Sequence, residues 1–338
     1  MKTRNFGINH SGEQATMYTF ENRNGMVMEV TDFGATLYSL LVPTENGPLD
    51  VVLGYDDPAG YEGPAGTFFG ATVGRNANRI CKGQFSLKGK LYQLAVNNGP
   101  NNLHSGLDFW SFRIWQVQET TENSITFGLH SPDGDQGYPG AMDIAVTYTL
   151  TDENSVRIHY RGIPQEETII NLTNHSYFNL NGHDSGDILS HTVWLDADAF
   201  TRADATSIPT GEITPVAGTP MDFRTAKPIG RDIGLDYESL HLQGGFDHNW
   251  EVYCNPCAIL SDPISGRTME VHTDCPGIQF YAGNYLDEQG KDGVYYGKRT
   301  GIALETQFYP DCLHHPDWPQ PIVKAGKPYH SETVYRFI

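Results

Sequence analysis

Apolar side chains in this chain recur at every second residue and hardly anywhere at every third or fourth. Ile125, Phe127 and Leu129 alternate with polar residues, as do Ile144, Val146, Tyr148 and Leu150, and then Val156, Ile158 and Tyr160. A period of two presents one strand face to a core and the other to a different environment. The stretch Thr151-Asp152-Glu153-Asn154-Ser155 separates the last two runs and predicts an antiparallel hairpin. Further strands are expected at Glu270–Thr273, Ile278–Tyr281 and Val334–Phe337. Turn clusters such as Pro132-Asp133-Gly134-Asp135 punctuate the chain at short intervals. Helix is expected only as a short turn near Ile233–Leu240. The 36 glycines and 20 prolines are spread throughout, without a linker or repeat. These features predict one all-β domain over residues 1–338. Many antiparallel strands must cover their apolar faces, so two large packed sheets are expected.

Charge narrows the partners. With 22 Lys and Arg against 41 Asp and Glu, the net charge is −19. A phosphate backbone or an anionic membrane would be repelled, which points to a small-molecule partner and away from nucleic acid and membrane. Met1–His10 lacks the apolar core of a signal peptide, and no later run is long enough to span a bilayer. Five scattered cysteines do not make a disulfide framework, and cytoplasmic residence is the expectation. Cys254-Asn-Pro-Cys257 lacks a second pair at zinc-ribbon spacing, and the neighbours His314 and His315 point apart in extended chain. Neither a phosphate loop, a dinucleotide fingerprint nor a G-x-S-x-G elbow is present. No cofactor and no metal are expected.

Five clusters join polar or titratable groups to turn-forming or aromatic residues. They are Gly74–Ile80, containing Arg75, Asn78 and Arg79; the Asn-rich Asn97–Gly106, containing His104; and Asn171–Leu180, with His175 at its centre and Tyr177 beyond. Gly244–Trp250 carries Asp247, and Ile302–Asp311 carries Glu305. Each has a plain reading as a solvated turn or an irregular loop. Glu305 is the least ordinary, because it follows an apolar strand-like run, and a buried carboxylate is costly without a partner or a task. Asn, Asp, Arg and His beside aromatics, with no metal set, suit a sugar: hydroxyls need donors and acceptors, and the ring's apolar face packs on aromatics.

Taken in order, these segments resemble the aldose 1-epimerase (galactose mutarotase) family. The matching stretches are Gly74–Ile80, Asn97–His104, Thr173–Leu180, Phe246–Trp250, Pro276–Leu286 and Leu304–Asp311, and the likeness runs from about Gly25 to the C-terminus. The resemblance implies a β-supersandwich fold and an enzyme that interconverts the α and β anomers of free hexoses such as galactose or glucose. It implies no metal and no nucleotide. Carried over by motif, Glu305 is the general base and His175 the general acid. Asn78, Arg79, His104, Tyr177, Asp247 and Gln279 would bind the sugar, with Arg75 a less certain neighbour. Departures from the family pattern at Ser105, Asn76 and Leu107–Trp110 are expected to bear on sugar preference.

Anomers interconvert by opening the hemiacetal, rotating about C1–C2 and closing on the other face. A base must take the proton of the anomeric hydroxyl while an acid protonates the ring oxygen. Carboxylates near His175 and donors near Glu305 would hold both groups charged and ready near neutral pH, giving a bell-shaped pH profile. The rivals are a hexose-6-phosphate epimerase and a non-catalytic sugar-binding module on the same fold. The chain is expected to act as a monomer or homodimer.

Overall fold

The computed structural model describes residues 1–63 and 66–338. Three sheets carry the architecture, and every pairing within them is antiparallel. The largest has nine strands, in the spatial order Gln116–Thr120, Ser124–Ser131, Met142–Leu150, Ser155–Pro164, Tyr329–Phe337, Thr268–Thr273, Ala258–Ser261, Thr192–Leu195 and Lys227–Pro228. The second has six: Tyr177–Phe178, Ile302–Gln307, Gly277–Tyr281, Asp247–Glu251, Ala199–Ala203 and Pro209–Pro215. A third, of five strands in sequence order, runs from Lys2–Ile8 to Gly47–Asp50.

The three alternating runs in the sequence lie side by side in the nine-stranded sheet. The expected hairpin is there, with Leu150 opposite Val156. Their inward residues Ile144, Val146, Ile158 and Tyr160 meet Ile278, Phe280, Ile302 and Leu304 of the six-stranded sheet and Met28 and Leu40 of the five-stranded one in a single buried cluster. Full burial of each such side chain is worth about 1.5–3 kcal/mol. Two polar contacts also cross between the large sheets: Thr306 Oγ1 lies 2.5 Å from Thr333 Oγ1, and Tyr335 OH donates to the Leu304 carbonyl at 3.3 Å.

Helices are minor. The expected turn over Ile233–Leu240 is not one helix: Ile229–Asp232 and Glu238–Gln243 are helical, and the chain between them is not. Gly234 favours a stop, and Tyr237 is extended at φ −138°, which interrupts the helical hydrogen-bond ladder. Among the described residues no helix is long and apolar enough to cross a membrane.

Candidate active site

Strand Ile302–Gln307 is buried at every position, yet its two faces differ in kind. Ile302 and Leu304 enter the core, and strict alternation turns Ala303, Glu305 and Gln307 to the other face. Register extends that second face across the sheet. Gln279 pairs with Glu305 and Asn249 with Gln279, while Tyr281 pairs with Ala303 and Asp247 with Tyr281. A cavity of about 240 Å³ opens on this face, and loops from the rest of the chain wall it in. Asn78, Arg79, His104, His175, Tyr177, Asp247 and Glu305 all line it. These residues come from widely separated parts of the sequence, and only folding brings them together.

Glu305 and His175 form the floor, with 2% and 5% of their surface exposed. His175 Nε2 lies 3.5 Å from Glu305 Oε2. The imidazole is nearly parallel to Tyr177, 5.1 Å away, and meets the edge of His104 at 5.3 Å. Phe68 lies against both histidines. His104 sits at φ 53° and Asn78 at φ 63°, and the two segments clasp each other. The His104 N–H donates to the Asn78 carbonyl at 3.0 Å, and the Asn78 N–H donates to His104 Nδ1 at 3.1 Å. That bond leaves the His104 proton on Nε2, so the ring is a hydrogen-bond donor. Arg79 is oriented by Asn98, whose Oδ1 accepts from Nε at 3.0 Å.

His104, His175 and Glu305 bring ligand-type atoms within 4.8 Å of one another, which looks like the start of a metal triad. His104 does not suit that role. A neutral imidazole that binds metal through Nε2 carries its proton on Nδ1, the atom already accepting from Asn78.

The electrostatics correct one expectation. Burial dominates both central groups: it lowers His175 to about 4 and pushes Glu305 well above the usual carboxylate range. The Asp247 carboxylate raises Glu305 further, and Arg79 only partly opposes this. Burial also drives His104 well below its ordinary value, with His175 and Arg79 adding to the effect. The neighbours therefore do not hold the pair charged; desolvation favours a neutral imidazole beside a protonated carboxyl.

Gln279 does not line the cavity. It stands behind Asp247, donating from Nε2 to Asp247 Oδ1 at 2.7 Å. Arg75 is fully buried and faces away, bonding to the Pro139 and Gly140 carbonyls, Thr168 and Ser131. The departures Ser105 and Asn76 meet each other away from the sugar-facing wall: the Asn76 N–H donates to Ser105 Oγ at 2.8 Å. Leu107 is exposed and Trp110 buried, and none of the departing residues lines the cavity, although Phe109 packs 5.0 Å from the lining Phe68. Sequence reasoning missed Phe68, Tyr281, Tyr285, Gln243 and Ser207, all of which line it. Tyr281 was findable, being two residues beyond Gln279 on the same strand face. Ser207 and Gln243, 2.5 Å apart through Oγ and Oε1, carried no local signal.

Comparison with known proteins agrees with the geometry. A family model described as aldose 1-epimerase matches residues 16–336. The galactose mutarotase of Bos taurus is 43% identical over 317 residues, covering 92% of this chain and 90% of that one. The aldose 1-epimerase of Haemophilus influenzae is 41% identical, covering 96% of both. Among solved structures, an aldose epimerase homologue from C. elegans superposes with a TM-score of 0.88 at 33% identity, covering 95% of this chain and 98% of that one. Galactose 1-epimerase from Lactobacillus acidophilus gives 0.87 at 27% identity, covering 100% and 99%.

Proposed function

The chain belongs to the aldose 1-epimerase family and interconverts aldose anomers; we propose that it does so on free hexoses, with Glu305 as general base and His175 as general acid. One observation carries this reading: a carboxylate and an imidazole 3.5 Å apart on the buried floor of a polar cavity. The base takes the anomeric hydroxyl proton, the acid protonates the ring oxygen, and the C1–O5 bond breaks to leave an open-chain aldehyde. Rotation about C1–C2 then presents the other carbonyl face, and closure returns both protons.

The push of burial toward a neutral pair fits this cycle. Ring opening converts an ionised Glu305 and a protonated His175 into a protonated Glu305 and a neutral His175. That is the state burial favours, so the buried floor lowers the energy of the site while the aldehyde is present. Substrate hydroxyls entering the cavity supply hydrogen bonds that bring the charged pair within reach. Around the ring, His104 donates from Nε2, Asp247 accepts, and Arg79 and Asn78 face the remaining hydroxyls. Tyr177 packs beside His175, and Gln279 acts by holding Asp247.

A free sugar is favoured over a phosphorylated one. Arg79 is the only Arg or Lys among the described lining residues, and Asp247 and Glu305 share the cavity with it. Every group the reaction uses comes from one chain, so monomer and homodimer serve equally. All five cysteines are unpaired, which suits the reducing cytoplasm.

Polarimetry of freshly dissolved α-D-galactose and α-D-glucose tests the reading. Wild type should speed equilibration, and Glu305→Gln or His175→Asn should lose about 10²- to 10⁴-fold in kcat while remaining folded. Full activity in folded Glu305→Gln would remove the carboxylate from the mechanism. Competition by hexose 6-phosphate at equal strength would favour the phosphorylated substrate.

A further inference from the structure

The strand face that carries Glu305 continues, away from the cavity, into a group of buried amides that the mechanism does not use. Gln279 lies directly opposite Glu305, and Asn249 directly opposite Gln279, so the three form one row across adjacent strands. Gln307 stands two residues beyond Glu305 on the same face, opposite Gly277. All four side chains are at least nine-tenths buried. Among the described residues, six of their polar atoms have no hydrogen-bond partner: Glu305 Oε2, Gln279 Oε1, and both side-chain polar atoms of Asn249 and of Gln307.

So dense a group of unpaired atoms is not what folded proteins keep, because each carries its full desolvation cost. The groups nearest this row in the sheet are already engaged or carry no polar atom. Gln279 Nε2 is engaged by Asp247. Gly277 offers no side chain, and Asn249 Oδ1 reaches over it so closely that a Cβ there would lie 2.5 Å away. The Tyr309 ring covers the same glycine, and its hydroxyl is directed to Glu251 Oε1 at 3.0 Å. The Cα atoms of same-face residues on a strand are about 6.6 Å apart, and one water links polar side-chain tips roughly 4.5 to 5.5 Å apart through two hydrogen bonds of about 2.8 Å each.

We propose that Asn249 and Gln307 are positioning residues for Glu305, their amides holding internal water that donates to Glu305 Oε2, fixes the carboxylate toward the sugar and favours its ionised form. The inference rests on the reading of Glu305 as the base. Other groups also act on this carboxylate: His175 and His104 from the loops, Arg79 and Asp247 across the cavity, and the hydroxyls of Tyr177, Tyr281 and Tyr335. None of them supplies a hydrogen bond to Oε2.

Gln307→Met and Asn249→Leu keep the shape of each side chain and delete its polar atoms. Each should lower kcat about tenfold, the loss expected for a hydrogen bond to a charged group, with KM held within roughly twofold. The alkaline limb of the kcat–pH profile should move upward, because the ionised carboxylate loses a donor. An unchanged kcat and limb in both folded variants overturns the inference, as does a raised KM with an unmoved limb. A measurement on wild type needs no variant to fold: long-lived water should show nuclear Overhauser contacts to the Asn249 and Gln307 side-chain amides, and their absence also overturns it. Glu305→Gln separates the two ideas. If that variant stays active, the base assignment fails; if it is inactive while Gln307→Met and Asn249→Leu match wild type, only the water network fails.

Discussion

Burial acts on Glu305 and His175 in opposite senses, and this makes the pair's pH behaviour predictable. A neutral imidazole beside a protonated carboxyl has the same number of protons as the charged pair, so their ratio does not change with pH. Activity falls only when the pair gains a second proton or loses its last. The first event follows His175, lowered to about 4 by burial, and the second follows the raised Glu305. The kcat/KM profile should therefore have its acid limb near pH 4 and its alkaline limb set by the raised Glu305; an acid limb near the ordinary histidine value would refute this. Two arginines of one motif make a second contrast. Arg75 donates to buried carbonyls, so Arg75→Met should cost about 2–4 kcal/mol of stability in denaturant melts, with the kcat/KM of folded protein nearly kept. Arg79→Met should do the reverse, raising KM several-fold with little change in melting. Local residue pattern does not separate these arginines, since both lie in one short motif; only the family resemblance ranked Arg79 above Arg75, and the fold turns the two opposite ways.

Alternation on a strand decides that Glu305 and Gln307 share a face opposite Ile302 and Leu304, and the residue pattern alone makes this legible. Cross-strand register is not legible in the same way: which residue of Gly277–Tyr281 stands opposite Glu305 depends on bulges and connections along the whole sheet. The same limit misplaced Gln279, which belongs to the right motif but reaches Asp247 before it reaches the cavity. Between elements, Lys291 shows how the five-stranded sheet is tied to the rest. Its Nζ lies 2.6 Å from Asp50 Oδ2 and donates to the Tyr38 carbonyl at 3.0 Å. Burial alone would raise Asp50, but Lys291, Ser39 and the Leu40 N–H together bring it below the usual carboxylate range. A depressed carboxyl contributes its stability above the unfolded value and loses it as pH falls through the lower folded one. Lys291→Met should cost about 3–5 kcal/mol near neutral pH, because it strands a buried carboxylate. The deficit against wild type should shrink as the pH falls and Asp50 is protonated in both, a trend that paired thermal melts at pH 7 and pH 3 would check.

Across the whole molecule, one buried cluster takes residues from all three sheets, and the cavity lies on the far side of the six-stranded sheet from it. This division lets a rigid apolar layer hold a polar floor in place. Six residues predicted from motifs share the cavity with Glu305, although the segments that carry them are scattered along the chain. The motifs were legible because each keeps its polar residues beside turn formers and aromatics within a few positions. Phe68, Ser207 and Gln243 were not, because the local pattern around each gives no sign of a cavity. By itself the sequence determined the strand-rich class, the two faces of each strand and the family, since these depend on periodicity and short-range order, and the family motifs nominated the acid–base pair. Only the tertiary structure decided that Gln279 and Arg75 stand off the cavity, that His104 is a donor, and that burial pushes the central pair toward its neutral form. Those outcomes follow from desolvation and from hydrogen bonds between residues far apart in the chain, and neither exists until the chain has folded.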